Sequence, residues 1–278
     1  MNLGDFLIEN EVMMRLGFFF GMFLVMGLLE LAFPRRKLLF SKTIRWLNNM
    51  GLVFLNSLLL RILFPLAATG VAAWVTSHSW GFLNIFNIGT PLSFIVSILI
   101  LDMAIWAQHV LVHHVPALWR LHRVHHADPD FDVTTGARFH PLEIIFSMLL
   151  KFLVILLLGP SVAAVIVFEI LLNATAMFNH ANVRLPTSLD RYLRLIMVTP
   201  DMHRVHHSMI RSETNSNFGF NLPWWDYLYG TYCSQPAKGH EAMEIGIPEF
   251  QNTKQITQLQ GMLTIPFVSE QTTHRGKR

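Results

Sequence analysis

The sequence predicts an all-α integral membrane protein. About four transmembrane helices, one or two of them as a hairpin, sit under a cytosolic helical cap that holds a histidine-rich dimetal site. Three observations carry this expectation. The 278-residue chain is 52% hydrophobic and 14% charged, with a mean hydropathy of +0.41, whereas soluble domains average about 25% charged residues. Its apolar residues gather in four long regions. The pentapeptide His-Arg-Val-His-His occurs twice, at 122–126 and 203–207, with His109-x-x-x-His113 just upstream of the first copy. Eight of the 14 histidines therefore fall in three short segments, which points to one shared task.

A spanning helix needs roughly 20 apolar residues. The first region runs from about Met13 to Phe33 and stops at Pro34. The second, about Leu47 to Val75, is longer than one span requires and is interrupted by Arg61 and Pro65. It reads as a helix kinked at Pro65, or as a helix followed by an interfacial piece. The third runs from about Leu92 to Val112. The fourth, about Ile144 to Phe178, carries Lys151 and is divided by Gly159-Pro160, a turn pair that makes a helical hairpin of it. Pro116 ends the third span, and a cytoplasmic helix from Leu118 to His126 follows. The second His-Arg-Val-His-His comes after Thr199-Pro200-Asp201, a helix start. Three units result: an N-terminal transmembrane region (1–91), a domain that carries the histidine motifs (92–232) and a polar, loosely packed C-terminal tail (233–278). The first eleven residues carry Asp5, Glu9 and Glu11 rather than a basic stretch, which argues against a cleavable signal peptide.

Lysine and arginine set the orientation. Residues 34–46 hold Arg35, Arg36, Lys37, Lys42 and Arg45, and residues 78–92 hold none. Arg120, Arg123 and Arg138 lie between the third and fourth regions, and ten more basic residues follow position 178. The N-terminus is then outside, and the C-terminus and both His-Arg-Val-His-His segments are cytoplasmic. Because the basic residues flank membrane segments, no nucleic-acid partner is expected. One cysteine, Cys233, excludes intrachain disulfides and multi-thiolate metal sites.

On a helix, positions i, i+3 and i+4 share a face. Each His-x-x-His-His thus aims three imidazoles at one place, and neutral imidazole is the commonest biological metal ligand. The candidate ligands are His109, His113, His122, His125, His126, His203, His206 and His207, joined by His180 at the end of the fourth region. His140 is a further candidate; otherwise it caps a helix or pairs with Glu143. His114 points away from His113, and His78, His240 and His274 have no spaced partner and read as surface residues. This many imidazoles exceed one tetrahedral zinc. Two zinc sites would close every coordination position, whereas two irons with four or five imidazoles each keep one open for O2. Zinc can still replace iron in a purified sample, because it stands higher in divalent affinity. Neither the Glu-x-x-His of carboxylate di-iron bundles nor His-Glu-x-x-His is present. Competing readings are a metal-binding membrane protein without catalysis, one whose metal-activated water hydrolyses a lipid, and a haem carrier. The last needs histidines buried mid-span, and these cluster at span ends.

The motifs resemble the fatty acid hydroxylase and sterol desaturase superfamily of membrane non-haem di-iron enzymes. The resemblance covers roughly residues 95 to 232. It rests on the three histidine motifs, Leu118-Trp119-Arg120, His140-Pro141-Leu142-Glu143 and Asn179-His180-Ala181-Asn182 through Pro186. Val198-Thr199-Pro200, Asn217-Phe218-Gly219, Trp225-Asp226 and Gly230-Thr231 follow in the same order. It implies a helical transmembrane base under a cytosolic cap with two irons, a lipid substrate, and O2 as co-substrate, the outcome being hydroxylation or desaturation. It also implies electrons from an external carrier of cytochrome b5 or ferredoxin type. The sequence itself shows no haem-attachment, iron–sulfur or nucleotide motif that would supply them. Some members carry another histidine four residues before the position of His180, where this chain has Ala176. Asn217 and Asp226 would then orient imidazole N–H groups from outside the ligand shell.

Overall fold

A computed structural model describes residues 3–250 and 253–268. All regular elements among them are helical. Nine helices lead to the cap: α1 (Leu3–Glu9), α2 (Glu11–Ala32), α3 (Lys42–Leu63), α4 (Ala67–Ser77), α5 (Phe82–Ile85), α6 (Thr90–His114), α7 (Pro116–His126), α8 (Pro141–Leu158) and α9 (Val162–Asn179). Short helices complete it: α10 (Thr187–Leu193), α11 (Pro200–His206), α12 (Arg211–Thr214), α13 (Trp224–Tyr229), α14 (Gly239–Ala242), α15 (Thr253–Thr257) and α16 (Leu259–Thr264), with a 3-10 turn at Ile265–Phe267.

Five segments are long and apolar enough to cross a membrane: Glu11–Ala32, Lys42–Ile85, Thr90–His114, Pro141–Leu158 and Val162–Asn179. The chain is a multi-pass membrane protein. The expected four regions become five because the hairpin is two full helices of 18 residues each, about 27 Å long and close to a bilayer core. At the second region the ring of Pro65 drives Phe64 out of helical geometry, so α3 stops at Leu63 and α4 begins at Ala67. Gly159 ends α8 in the left-handed conformation (φ +75°), and Ser161 caps α9 by accepting from the Ala164 N–H. A side chain at Gly159 would meet Asn84 Nδ2 at 2.6 Å and the Trp80 carbonyl at 2.7 Å, so the 80–84 loop sits directly on this turn. Leu24, Leu28 and Leu31 of α2, Phe54 of α3, and Leu153 and Leu157 of α8 are exposed, the pattern of a lipid-facing surface. Inside, Ala68, Ala72 and Val75 of α4 pack on Leu101, Ile155, Val165 and Phe168 from α6, α8 and α9. The small residues of α4 allow that close approach.

The cap is joined to the bundle by buried charge. Arg45 of α3 donates to both oxygens of Asp128 (2.8 and 2.8 Å) and to Asp132 (2.5 Å), all three fully buried. Glu30 of α2 accepts from the backbone N–H groups of Val133 (2.6 Å) and Asn182 (2.9 Å). The loop after the first histidine triplet is therefore fixed from two helices.

Two expectations are corrected. The segment from 233 onward is packed rather than loose as far as it is described. Ile247, Phe250, Ile256, Met262 and Ile265 bury against Leu52, Val124 and Ala127, and the carbonyl oxygens of Pro266 and Ile265 accept from Arg120 and Arg123. His240, read as a surface residue, is buried 3.7 Å from Asp201, and burial pushes its pKa down to about 4. His78 is exposed as expected, and His274 lies outside the described residues.

Candidate metal centre

Four elements converge on the site. The C-terminal end of α6 presents His109 and His113 at i and i+4. Helix α7, opened by Pro116 and half polar along its length, presents His122, His125 and His126. His180 is the residue that ends α9, and α11 with its C-cap presents His203, His206 and His207. The Thr199 side chain caps α11 by accepting from the Met202 N–H, with Pro200 in the first turn, as the Thr-Pro-Asp start predicts.

These nine histidines form two adjacent groups. His109, His113, His122, His126 and His206 make the first, and His125, His180, His203 and His207 the second; in each group the ligand nitrogens lie within 4.8 Å of one another. The i, i+4 pair of α7 (His122, His126) enters the first group while its i+3 residue, His125, crosses to the second. The α11 triplet does the reverse: His203 and His207 enter the second group and His206 the first. The two groups touch where the rings of His126 and His207 stack with centroids 4.6 Å apart.

A metal fits this donor set. Imidazole nitrogens face each other without other protein partners: His126 Nε2 is 3.1 Å from His113 Nε2, and His180 Nε2 is 3.1 and 3.0 Å from His125 Nε2 and His203 Nε2. The buried Nε2 atoms of His109, His122, His206 and His207 have no hydrogen-bond partner, a costly state that a cation would relieve. Burial, reinforced by neighbouring imidazoles, holds His125, His126, His203 and His207 well below the usual histidine pKa. Burial likewise brings His180 and His206 down to about 3. Neutral imidazole with a free lone pair is the form that ligates.

Acceptors on the far side of the rings fix their orientation. His109 Nδ1 lies 2.8 Å from the Phe218 carbonyl, His206 Nδ1 2.7 Å from that of Ser216, and His180 Nδ1 2.8 Å from that of Ala176. His122 Nδ1 is 2.6 Å from Glu143, and His113 Nδ1 is 3.3 Å from Asn215. Each such contact leaves Nε2 turned inward.

The remaining candidates stand one step further out. His140 caps α8, its Nδ1 accepting from the Leu142 N–H, and belongs to neither group. Asp226 accepts from the N–H groups of Phe218 (2.9 Å) and Gly219 (2.7 Å), and from Trp106 and Thr231. It holds the turn whose carbonyl meets His109, rather than touching an imidazole. Asn217, at φ +51°, donates to the Met202 and Cys233 carbonyls and so ties α11 to the segment that follows α13. Glu143, read from the sequence only as a partner of His140, is the partner of His122. Ala176 sits under Gly136, whose missing side chain would fall 2.4 Å from the Ala176 carbonyl.

Replacing Glu143 by alanine is therefore expected to lower metal affinity about 10–100-fold, the usual cost of losing a ligand's orienting partner. Metal titration of the stripped protein measures this, and an unchanged affinity would remove Glu143 from the centre.

Residues 94–231 match the family model for fatty acid hydroxylase. Ornithine lipid hydroxylase OlsE of Rhizobium tropici is 31% identical over 186 residues, covering 66% of this chain and 54% of that protein. Alkylglycerol monooxygenase of Homo sapiens is 29% identical over 164 residues (58% and 36%), and cholesterol 25-hydroxylase of Rattus norvegicus 25% over 143 residues (51% and 47%). The chain thus spans about half or less of the length of these relatives. No solved structure matches it.

Proposed function

We propose, on the premise that this chain belongs to the fatty acid hydroxylase and sterol desaturase superfamily, that it hydroxylates a lipid C–H bond with O2 at a pair of irons held by the nine histidines. The observation that carries this reading is the division of the histidines into a group of five and a group of four, buried side by side where the membrane helices α6 and α9 end against α7 and α11. The names of the relatives, a lipid hydroxylase, an ether-lipid monooxygenase and a sterol hydroxylase, favour hydroxylation over desaturation and a lipid as substrate.

The chemistry a bound iron pair supplies is activation of O2 against an unactivated C–H bond. For hydroxylation the balance is one C–H, one O2, two electrons and two protons giving one C–OH and one water. The electrons come from a separate carrier of cytochrome b5 or ferredoxin type. The chain contributes ligands kept neutral by burial, ring orientations set by carbonyls and Glu143, and the rings of Phe131, Phe139, Phe218 and Phe220 packed against the imidazoles. Membranes containing the protein, given a reductant and isotopically heavy O2, should yield a hydroxylated lipid carrying the label. Lipid turnover that proceeds equally well without oxygen would overturn the reading.

The N-terminus is assigned to the outside and the histidines and C-terminus to the cytoplasm, on the basic-residue contrast between 34–46 and 78–92. Ile85 and the Lys238 side chain are both well exposed. With Cys233 changed to serine, an impermeant thiol reagent should label Ile85→Cys from outside intact cells and leave Lys238→Cys unlabelled. The opposite pattern would invert the topology.

A further inference from the structure

A cavity of about 680 Å³ runs from the histidines into the bundle. His109 and His122 line one part of it, and Arg15, Arg61, Lys151 and Glu169 line another, with apolar wall such as Ile105, Met148 and Leu172 between. Ionisable groups inside membrane spans are costly and are functional candidates by default. Here they are organised. Glu169 of α9 accepts from Arg15 of α2 (2.6 Å) and from Lys151 of α8 (2.5 Å), and Arg15 also pairs with Glu11 (2.9 Å). Arg61 reaches the same cavity from α3 and has no carboxylate partner among the described residues. The cavity lining holds three cations (Arg15, Arg61, Lys151) and three carboxylates (Glu11, Glu143, Glu169). Glu143 is bonded to His122 at the histidine end, which leaves three cations and two carboxylates away from the histidines. A clasp between helices requires only matched pairs. Arg61, exposed and without a carboxylate partner among the described residues, is available to an anion from outside the chain.

The spacing is set by the helices. Glu143, bonded to His122, and Lys151 both line the cavity eight residues apart on α8, about 12 Å along the axis. On α9, Ala176, whose carbonyl meets His180, lies seven residues beyond Glu169, about 10 Å. The charged cluster therefore stands some two helical turns away from the metal centre.

We infer that Arg15, Arg61 and Lys151 form a head-group site for a lipid with an anionic head, a carboxylate or a phosphate, whose chain runs along the cavity to His109 and His122. The separation from the head then selects the carbon presented for oxidation. The selection of the carbon rests on the proposed oxidase function, whereas the binding site stands without it.

The test uses the metal-loaded protein in neutral detergent and three probes of equal chain length: hexadecanoate, hexadecyl phosphate and hexadecanol. At least one anionic probe should bind about tenfold or more tightly than the alcohol, the equivalent of one charge-assisted hydrogen bond, and which of the two is preferred identifies the head. Arg61→Gln, which breaks no ion pair and so carries little risk to folding, should remove most of that advantage and leave hexadecanol binding unchanged. Lys151→Met should do the same. Equal binding of charged and neutral probes, or a preference that survives both substitutions, overturns the head-group site. In turnover, lengthening the chain by two carbons should leave the oxidised position unchanged when counted from the head; a position constant from the methyl end overturns the placement of the chain. A binding preference that behaves as expected in a protein without O2-dependent turnover would confirm the site and reject the oxidase reading instead.

Discussion

Alanine at His126 or at His207 is expected to leave a folded protein with about half its metal and no measurable turnover. The two residues sit at the contact between the groups but belong to different ones, His126 to the five and His207 to the four. Loss of a mere orienting partner costs 10–100-fold in metal affinity, so loss of a ligand costs at least about 100-fold at the group concerned. The group of four has fewer ligands to spare, and His207→Ala should therefore lose metal more completely than His126→Ala. Turnover fails in both because the proposed chemistry needs both metals. Elemental analysis of purified protein alongside product formation checks this. A single metal per chain that is retained in both variants would refute the two-group reading.

Much of this site is legible in the sequence, for a definite reason. Helical spacing is a local property, so His-x-x-His-His announces a shared face wherever the helix goes, and Gly159-Pro160 marks a hairpin without reference to anything else in the chain. What lies beyond local reach is the partition. Both triplets look identical, and nothing in them says that His125 and His206 cross to the group opposite their neighbours; only the packing angle of α7 against α11 decides it. The same holds for Glu143. Near His140 in sequence, it suggests a local pair, yet it is 21 residues from its real partner, His122. The carbonyl groups of Ser216, Phe218 and Ala176 orient three rings and carry no side-chain signature at all. Arg45 shows the limit in another way. Counted among loop charges for topology, it is a fully buried residue, because the Asp-Pro-Asp-Phe-Asp run at 128–132 folds around it. The apolar residues after 233 are too widely spaced to announce a core by periodicity, and they bury only because α3 offers them Leu52 and the cap Val124 and Ala127.

Arg45→Met should be the most damaging single change remote from the histidines. It removes the guanidinium and leaves Asp128 and Asp132 buried, with Arg138 at 4.0 Å from Asp128 as the remaining cation nearby. Breaking a buried pair from one side costs about 3–5 kcal/mol, more than the pair itself contributes, because the surviving charge stays desolvated. For a chain of this size that is roughly 10 °C or more in melting temperature. The loss reaches the metal centre directly: Asp128 follows His126 by two residues, and Thr134 and Thr135 of the same loop bond to Asp132 and Asp128. Neutralising the stranded carboxylates supplies the control. Arg45→Met combined with Asp128→Asn and Asp132→Asn should recover more than half of the lost stability, since the amides keep the shape of the site without its charge. Because these residues touch one another, their effects cannot be additive, and that non-additivity is the signature to look for in thermal unfolding. If Arg45→Met alone costs less than about 1 kcal/mol, the level of an exposed ion pair, then the charge cluster does not hold the cap to the bundle and the rigidity of the first histidine triplet must have another source.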